Sequence, residues 1–154
     1  SKAIALEWKP NDSYIVLQLK EQFEELVNTD EEICFIGSST GGSFCLQLID
    51  LLNLTKEYTC FLINPFLEIN QRRIDDVRFP HSLAEQIVLP KLLKSKLYVI
   101  LGEKDEVLYH QRTIELLKDK AIIKLIDNGN HSLNEVLSLQ MKNYLKETVQ
   151  LMYK

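Results

Sequence analysis

No apolar run in these 154 residues approaches the ~20 that a membrane-spanning helix needs. The start, Ser1-Lys2-Ala3, has no signal-peptide pattern. Cysteine is scarce. Three residues, Cys34, Cys45 and Cys60, cannot all pair internally, and each falls in an apolar element. Buried thiols in a reducing cytoplasm are therefore expected. No Cys/His cluster has zinc-ligand spacing, and neither a metal nor an organic cofactor is expected. The chain also lacks internal repeats, low-complexity segments and linkers. Positive charge is in deficit: the net charge of −4 and pI near 5.4 argue against a nucleic-acid or anionic-membrane partner. What remains is 45 % hydrophobic and 26 % charged residues, ordinary for a globular protein. One domain over 1–154, large enough to bury a core, is expected.

Against this plain background stands Gly37-Ser38-Ser39-Thr40-Gly41. It follows the apolar run Ile33-Cys34-Phe35-Ile36 and precedes a helical pattern from Gly42. That context reads as strand, sharp turn and helix, with Ser39 at the apex of a G-x-S-x-G elbow. Side chains at 37 and 41 are expected to clash in so tight a turn. The three fixed positions alone arise by chance in about one chain in 20 of this length. A phosphate-binding P-loop is excluded, because Ser43 stands where its lysine must be. The G-x-G-x-x-G spacing of a dinucleotide site is absent.

A serine nucleophile needs a base, and the base needs an orienting group. Leu97-Tyr98-Val99-Ile100-Leu101 reads as a strand, followed by the turn Gly102-Glu103-Lys104-Asp105. Ile122-Ile123-Lys124-Leu125-Ile126 reads as another, leading into Asp127-Asn128-Gly129-Asn130-His131. Both turns sit just past strand ends, and in an open parallel sheet those ends share the edge where ligands bind. Ser39, Asp105 and His131 thus become candidate nucleophile, acid and base. Glu103 and Glu106 rival Asp105 in the same turn, and Asp127 is a further carboxylate before the histidine. His110 is expected on a solvated helix face, and His81 on the surface or a lid. Asn64 is expected to line the pocket or simply to precede Pro65 in a turn. A base histidine must be neutral to act, so activity should fall below about pH 6 to 7.

Elsewhere, Ala3–Glu7 is expected as a short strand, with Asp12 or Ser13 capping a helix over 14–27 on the apolar face Ile15, Leu19, Phe23, Leu26 and Val27. The helix after the elbow should run to about Asn53, with Phe44, Cys45, Leu48 and Leu51 inward. Strands are expected at 58–63, 96–101 and 121–126, and helices at 109–118 and about 133–152. Residues 66–93 form a candidate small lid, with a short helix at 83–88. Strands alternating with helices imply an α/β fold of about five mostly parallel strands with helices on both faces.

Ile36-Gly37-Ser38-Ser39-Thr40-Gly41-Gly42, Ile63-Asn64-Pro65, Gly102-Glu103-Lys104-Asp105-Glu106-Val107-Leu108 and Gly129-Asn130-His131 together resemble the α/β-hydrolase superfamily. More narrowly, they resemble the small bacterial YqiA-type esterases. The resemblance implies a three-layer sandwich and hydrolysis of short-chain carboxylic esters or thioesters. Ser39 would be the nucleophile, Asp105 the acid and His131 the base. The amide of Thr40 would supply one oxyanion donor. That family opens with a strand ending in a His-Gly-Phe-like segment, whose amide completes the oxyanion hole. Here no glycine precedes Gly37, so the chain is expected to begin at the family's second strand. The alternative expectation is a catalytically silent domain of this fold that binds a ligand or a protein. An exposed sheet edge would in that case favour a homodimer.

Overall fold

The β-branched and aromatic runs form the strands of one parallel sheet, in the order β1 (Ile33–Ser38), β2 (Tyr58–Ile63), β3 (Lys96–Gly102), β4 (Ile122–Ile126). The computed structural model describes residues 2–73 and 96–133, and four exposed helical positions, Asn143, Lys146, Glu147 and Gln150. The register is continuous across the sheet: Phe35 pairs with Cys60, Cys60 with Leu97, and Val99 with Ile123. Because every strand runs the same way, Ser38, Ile63, Gly102 and Ile126 all end at one edge.

Helices α1 (Ile15–Leu26), α2 (Thr40–Leu52) and α3 (Gln111–Leu117) connect or precede these strands. Their apolar residues enter one cluster with one face of the sheet: Ile15, Leu19 and Phe23 from α1, Phe44 and Leu48 from α2, Leu117 from α3, and Phe35, Leu62, Val99 and Leu101 from the strands. The i, i+4, i+8 spacing of Ile15, Leu19 and Phe23 aligns them on the buried stripe of α1. On the other face Phe61 and Tyr98 are buried and stacked, 4.9 Å between ring centroids.

Several local expectations are corrected. Four strands, not five, are present among the described residues. Ala3–Glu7 is not a strand. The Gln22 side chain takes the hydrogen bonds that a neighbouring strand would supply, accepting from the Glu7 N–H at 2.9 Å and donating to its carbonyl at 2.8 Å. Trp8 then seats edge-on against Phe44. Neither Asp12 nor Ser13 caps α1. The N-cap is Tyr14, without a side-chain cap, while the Asp12 amide closes a turn onto the Lys9 carbonyl. Leu26 and Leu51 face outward rather than into the core, and Cys34 is exposed rather than buried. Cys45 and Cys60 are buried with sulfurs 3.6 Å apart. No described helix is long and apolar enough to cross a membrane. The expected helix at 83–88, His81, most of the lid and most of the helix at 133–152 lie outside the described residues.

Candidate active site

Ser39 sits between β1 and α2 with φ 50° and ψ −124°, a backbone conformation that non-glycine residues rarely adopt. Three bonds hold it there. Its N–H extends the sheet to the Ile63 carbonyl at 3.0 Å, and its carbonyl accepts from Gly42 and Phe66, both at 2.9 Å. Glycine is required on either side of the turn, at Gly37 as expected but on the helix side not at Gly41. A Cβ at Gly37 would lie 2.5 Å from the Gly41 carbonyl oxygen, and one at Gly42 would lie 2.7 Å from Pro65 Cβ. A Cβ at Gly41 would meet nothing within 4 Å. The close packing that fixes the turn therefore falls on Gly42 rather than Gly41. Thr40 opens α2, so its N–H belongs to the first turn, where amides lack helical partners.

The Ser39 hydroxyl lies 3.0 Å from His131 Nε2. His131 Nδ1 lies 2.9 Å from Asp105 Oδ2 and 3.1 Å from Oδ1. These three residues, 92 positions apart at the extremes, form a continuous hydrogen-bonded relay. Of the four carboxylates in the two turns, only Asp105 is buried. Glu106 instead accepts from the His131 backbone N–H at 2.9 Å, Glu103 accepts from that of Asn128 at 3.3 Å, and Asp127 is exposed. Burial pushes the Asp105 carboxyl up. Hydrogen bonds from His110 and His131, then from the amides of Leu108 and Val107, outweigh it and hold the group well below the usual carboxylate range.

Asn64 directly follows β2. It is fully buried. Its side-chain amide donates to the carbonyls of Asn130 at 3.2 Å and His131 at 2.7 Å, and its oxygen accepts from the Gly102 N–H at 2.7 Å. It clips the histidine loop to the start of the acid loop. The same two loops touch where a Cβ on Gly102 would lie 2.4 Å from the Gly129 carbonyl oxygen.

His110 departs furthest from expectation. It is not solvated. Its Nε2 lies 2.7 Å from Asp105 Oδ2, with the side chain 8 % exposed. The reason is the turn after Asp105. Oδ1 accepts from Val107 and Leu108 at 2.8 and 2.9 Å, which curls the chain and returns residue 110 to the carboxylate. Gln71 was also missed. Its buried side chain accepts from the Leu67 and Glu68 amides and donates to Thr113 Oγ1 at 2.6 Å, which straps the segment after β2 to the N-terminal turn of α3. A cleft of about 530 Å³ runs instead beside β1, lined by Trp8, Phe23, Phe35 and Phe44, and none of Ser39, Asp105 or His131 lines it.

No protein-family model and no curated protein matches the chain. Solved structures do. It is similar to a 2-hydroxy-6-oxo-6-phenylhexa-2,4-dienoate hydrolase from Rhodococcus sp. strain RHA1, with TM-score 0.68 and 17 % identity over 94 % of this chain and 74 % of that one. It is similar to a carboxylesterase from Bacillus subtilis, with TM-score 0.52 and 16 % identity over 88 % of this chain and 64 % of that one. A third similar structure is a protein of the alpha/beta hydrolase superfamily from Xanthomonas campestris, with TM-score 0.53 and 16 % identity over 78 % of this chain and 58 % of that one. The chain thus spans 58 to 74 % of the length of these proteins. At these identities the likeness establishes the fold: a parallel α/β sheet of the alpha/beta hydrolase type.

Proposed function

We propose that the protein is a serine hydrolase that cleaves short-chain carboxylic esters or thioesters through an acyl-enzyme. The observation that carries this reading is the relay from Ser39 Oγ through both His131 nitrogens to a buried carboxylate, built on a strained elbow. His131 Nε2 takes the Ser39 proton as Oγ attacks the substrate carbonyl. Asp105 keeps the other proton on Nδ1 and stabilises the imidazolium that forms. The Thr40 N–H, at the start of α2, faces the developing oxyanion with the helix dipole behind it. Imidazolium returns its proton to the leaving alkoxide or thiolate, and a water activated by His131 releases the acid. The ester-cleaving assignment draws support from the resemblance in the sequence and from the carboxylesterase among the similar structures.

A fluorophosphonate probe tests the reading. Stoichiometric labelling mapped to Ser39 and lost in Ser39→Ala is the expected result. A folded protein that stays unlabelled refutes it and leaves a binding domain on a hydrolase fold.

A further inference from the structure

Asp105 makes one hydrogen bond more than an orienting acid needs. His131 Nδ1 spans both of its oxygens, and the Val107 and Leu108 amides hold Oδ1. A second imidazole nevertheless reaches Oδ2: His110 Nε2 stands at 2.7 Å, closer than the 2.9 Å of His131 Nδ1. Its other nitrogen, Nδ1, is buried and has no partner among the described residues.

These contacts dictate where the protons lie. An ionised carboxylate only accepts, so the nitrogen facing it must carry a proton. For His110 that nitrogen is Nε2, and Nδ1 keeps its lone pair, because a second N–H there would be buried without an acceptor. For His131 the nitrogen facing Asp105 is Nδ1, which leaves the Nε2 lone pair on Ser39. Two imidazoles of opposite tautomer therefore share one carboxylate. The carboxylate torsion is soft on its own. With Oδ1 pinned by two amides and Oδ2 by His110, its plane is fixed, and with it the direction from which it meets His131.

We propose that His110 is a positioning residue for the reaction proposed above, its Nε2–H fixing the Asp105 carboxylate in the orientation that aligns His131 on Ser39. The inference rests on the Ser39–His131–Asp105 reading. It assigns His110 no contact with substrate.

The test combines two variants with imidazole ¹⁵N NMR. His110→Phe fills the space of the ring without a donor, and His110→Gln restores an N–H near the Nε2 position. Fluorophosphonate labelling of Ser39 should slow by about 10-fold in His110→Phe, the loss expected for one hydrogen bond to a charged group. In His110→Gln it should stay within about threefold of wild type. In unsubstituted protein the spectra should show His110 as the Nε2–H tautomer and His131 as the Nδ1–H tautomer, a measurement that needs no variant to fold. Labelling of His110→Phe at the wild-type rate overturns the proposal, and so does a His110 proton on Nδ1. Wild-type protein that does not label sinks the hydrolase reading instead. The positioning claim is then decided by NMR alone, standing if the His131 Nδ1–H resonance moves in His110→Phe and falling if it does not.

Discussion

Asn64→Ala should damage this protein more than most single substitutions. Asn64 is fully buried, and the change strands the Gly102 N–H without its acceptor and removes the donor from the His131 carbonyl. A buried group left unsatisfied costs about 1–3 kcal/mol. The residue also sits at φ 40°, in the left-handed region that asparagine tolerates and alanine resists by about 1–2 kcal/mol. The sum is roughly 2–5 kcal/mol, which for a chain of this size lowers Tm on the order of 10 °C. Asn64→Gly removes the same hydrogen bonds but relieves the backbone, so it should be less damaging by about 1 kcal/mol. Urea unfolding of the three proteins measures both differences. Fluorophosphonate labelling at a temperature where all are folded reports whether the His131 loop has shifted. If Asn64→Ala unfolds within about 0.5 kcal/mol of wild type and labels at the same rate, the clip between the two loops does not hold the site, and the reasoning fails.

Other substitutions separate strain from packing. Ser39→Gly should raise stability by about 1 kcal/mol in urea unfolding while abolishing labelling, because glycine occupies φ 50° without penalty. Gly41→Ala should be neutral or stabilising by up to about 1 kcal/mol, since its Cβ meets open space in a helix. Gly42→Ala should cost about 1–3 kcal/mol through the clash with Pro65, and equal midpoints for these two variants would contradict the packing described. The Asp105 carboxyl is depressed in the folded state. Its contribution to stability is therefore complete above the unfolded value of about 3.9 and is lost as pH falls below it. Unfolding free energy should drop more steeply between about pH 5 and 3 in wild type than in Asp105→Asn, and parallel curves would show that the carboxyl is not depressed.

The strands were legible in the sequence because each is a short apolar run closed by turn residues. Their parallel arrangement followed from the helices between them. That arrangement is why Ser39, Asp105 and His131 could be named together: each follows a strand end, and parallel strands gather their ends at one edge. What stayed hidden depends on side chains that replace backbone partners. Ala3–Glu7 alternates like a strand, yet its Glu7 hydrogen bonds go to Gln22. His110 precedes the polar Gln111 and charged Arg112 at a helix start, and only the curl of residues 105–108 onto Asp105 Oδ1 turns it inward. Asn64 before Pro65 reads as an ordinary turn, and its three bonds span 38 to 67 residues, beyond any local pattern. The spacing of the elbow glycines marked the turn but not which of Gly41 and Gly42 faces Pro65.

Among the described residues β4 is the outer strand opposite β1, bonded only to β3, with Ile122 and Leu125 open to solvent. His131 hangs from its far end, whereas Ser39 and Asp105 are rooted in strands bonded to β2. A transient peeling of β4 would carry the imidazole away and leave serine and carboxylate in place, with the core of β1–β3 still packed. For the proposed reaction, the fraction of molecules with the relay intact then depends on the cohesion of β4 and on the Asn64 bonds to the His131 loop as well as on the stability of the whole fold. Substitutions along β4, far from any reacting atom, become a means of tuning that fraction.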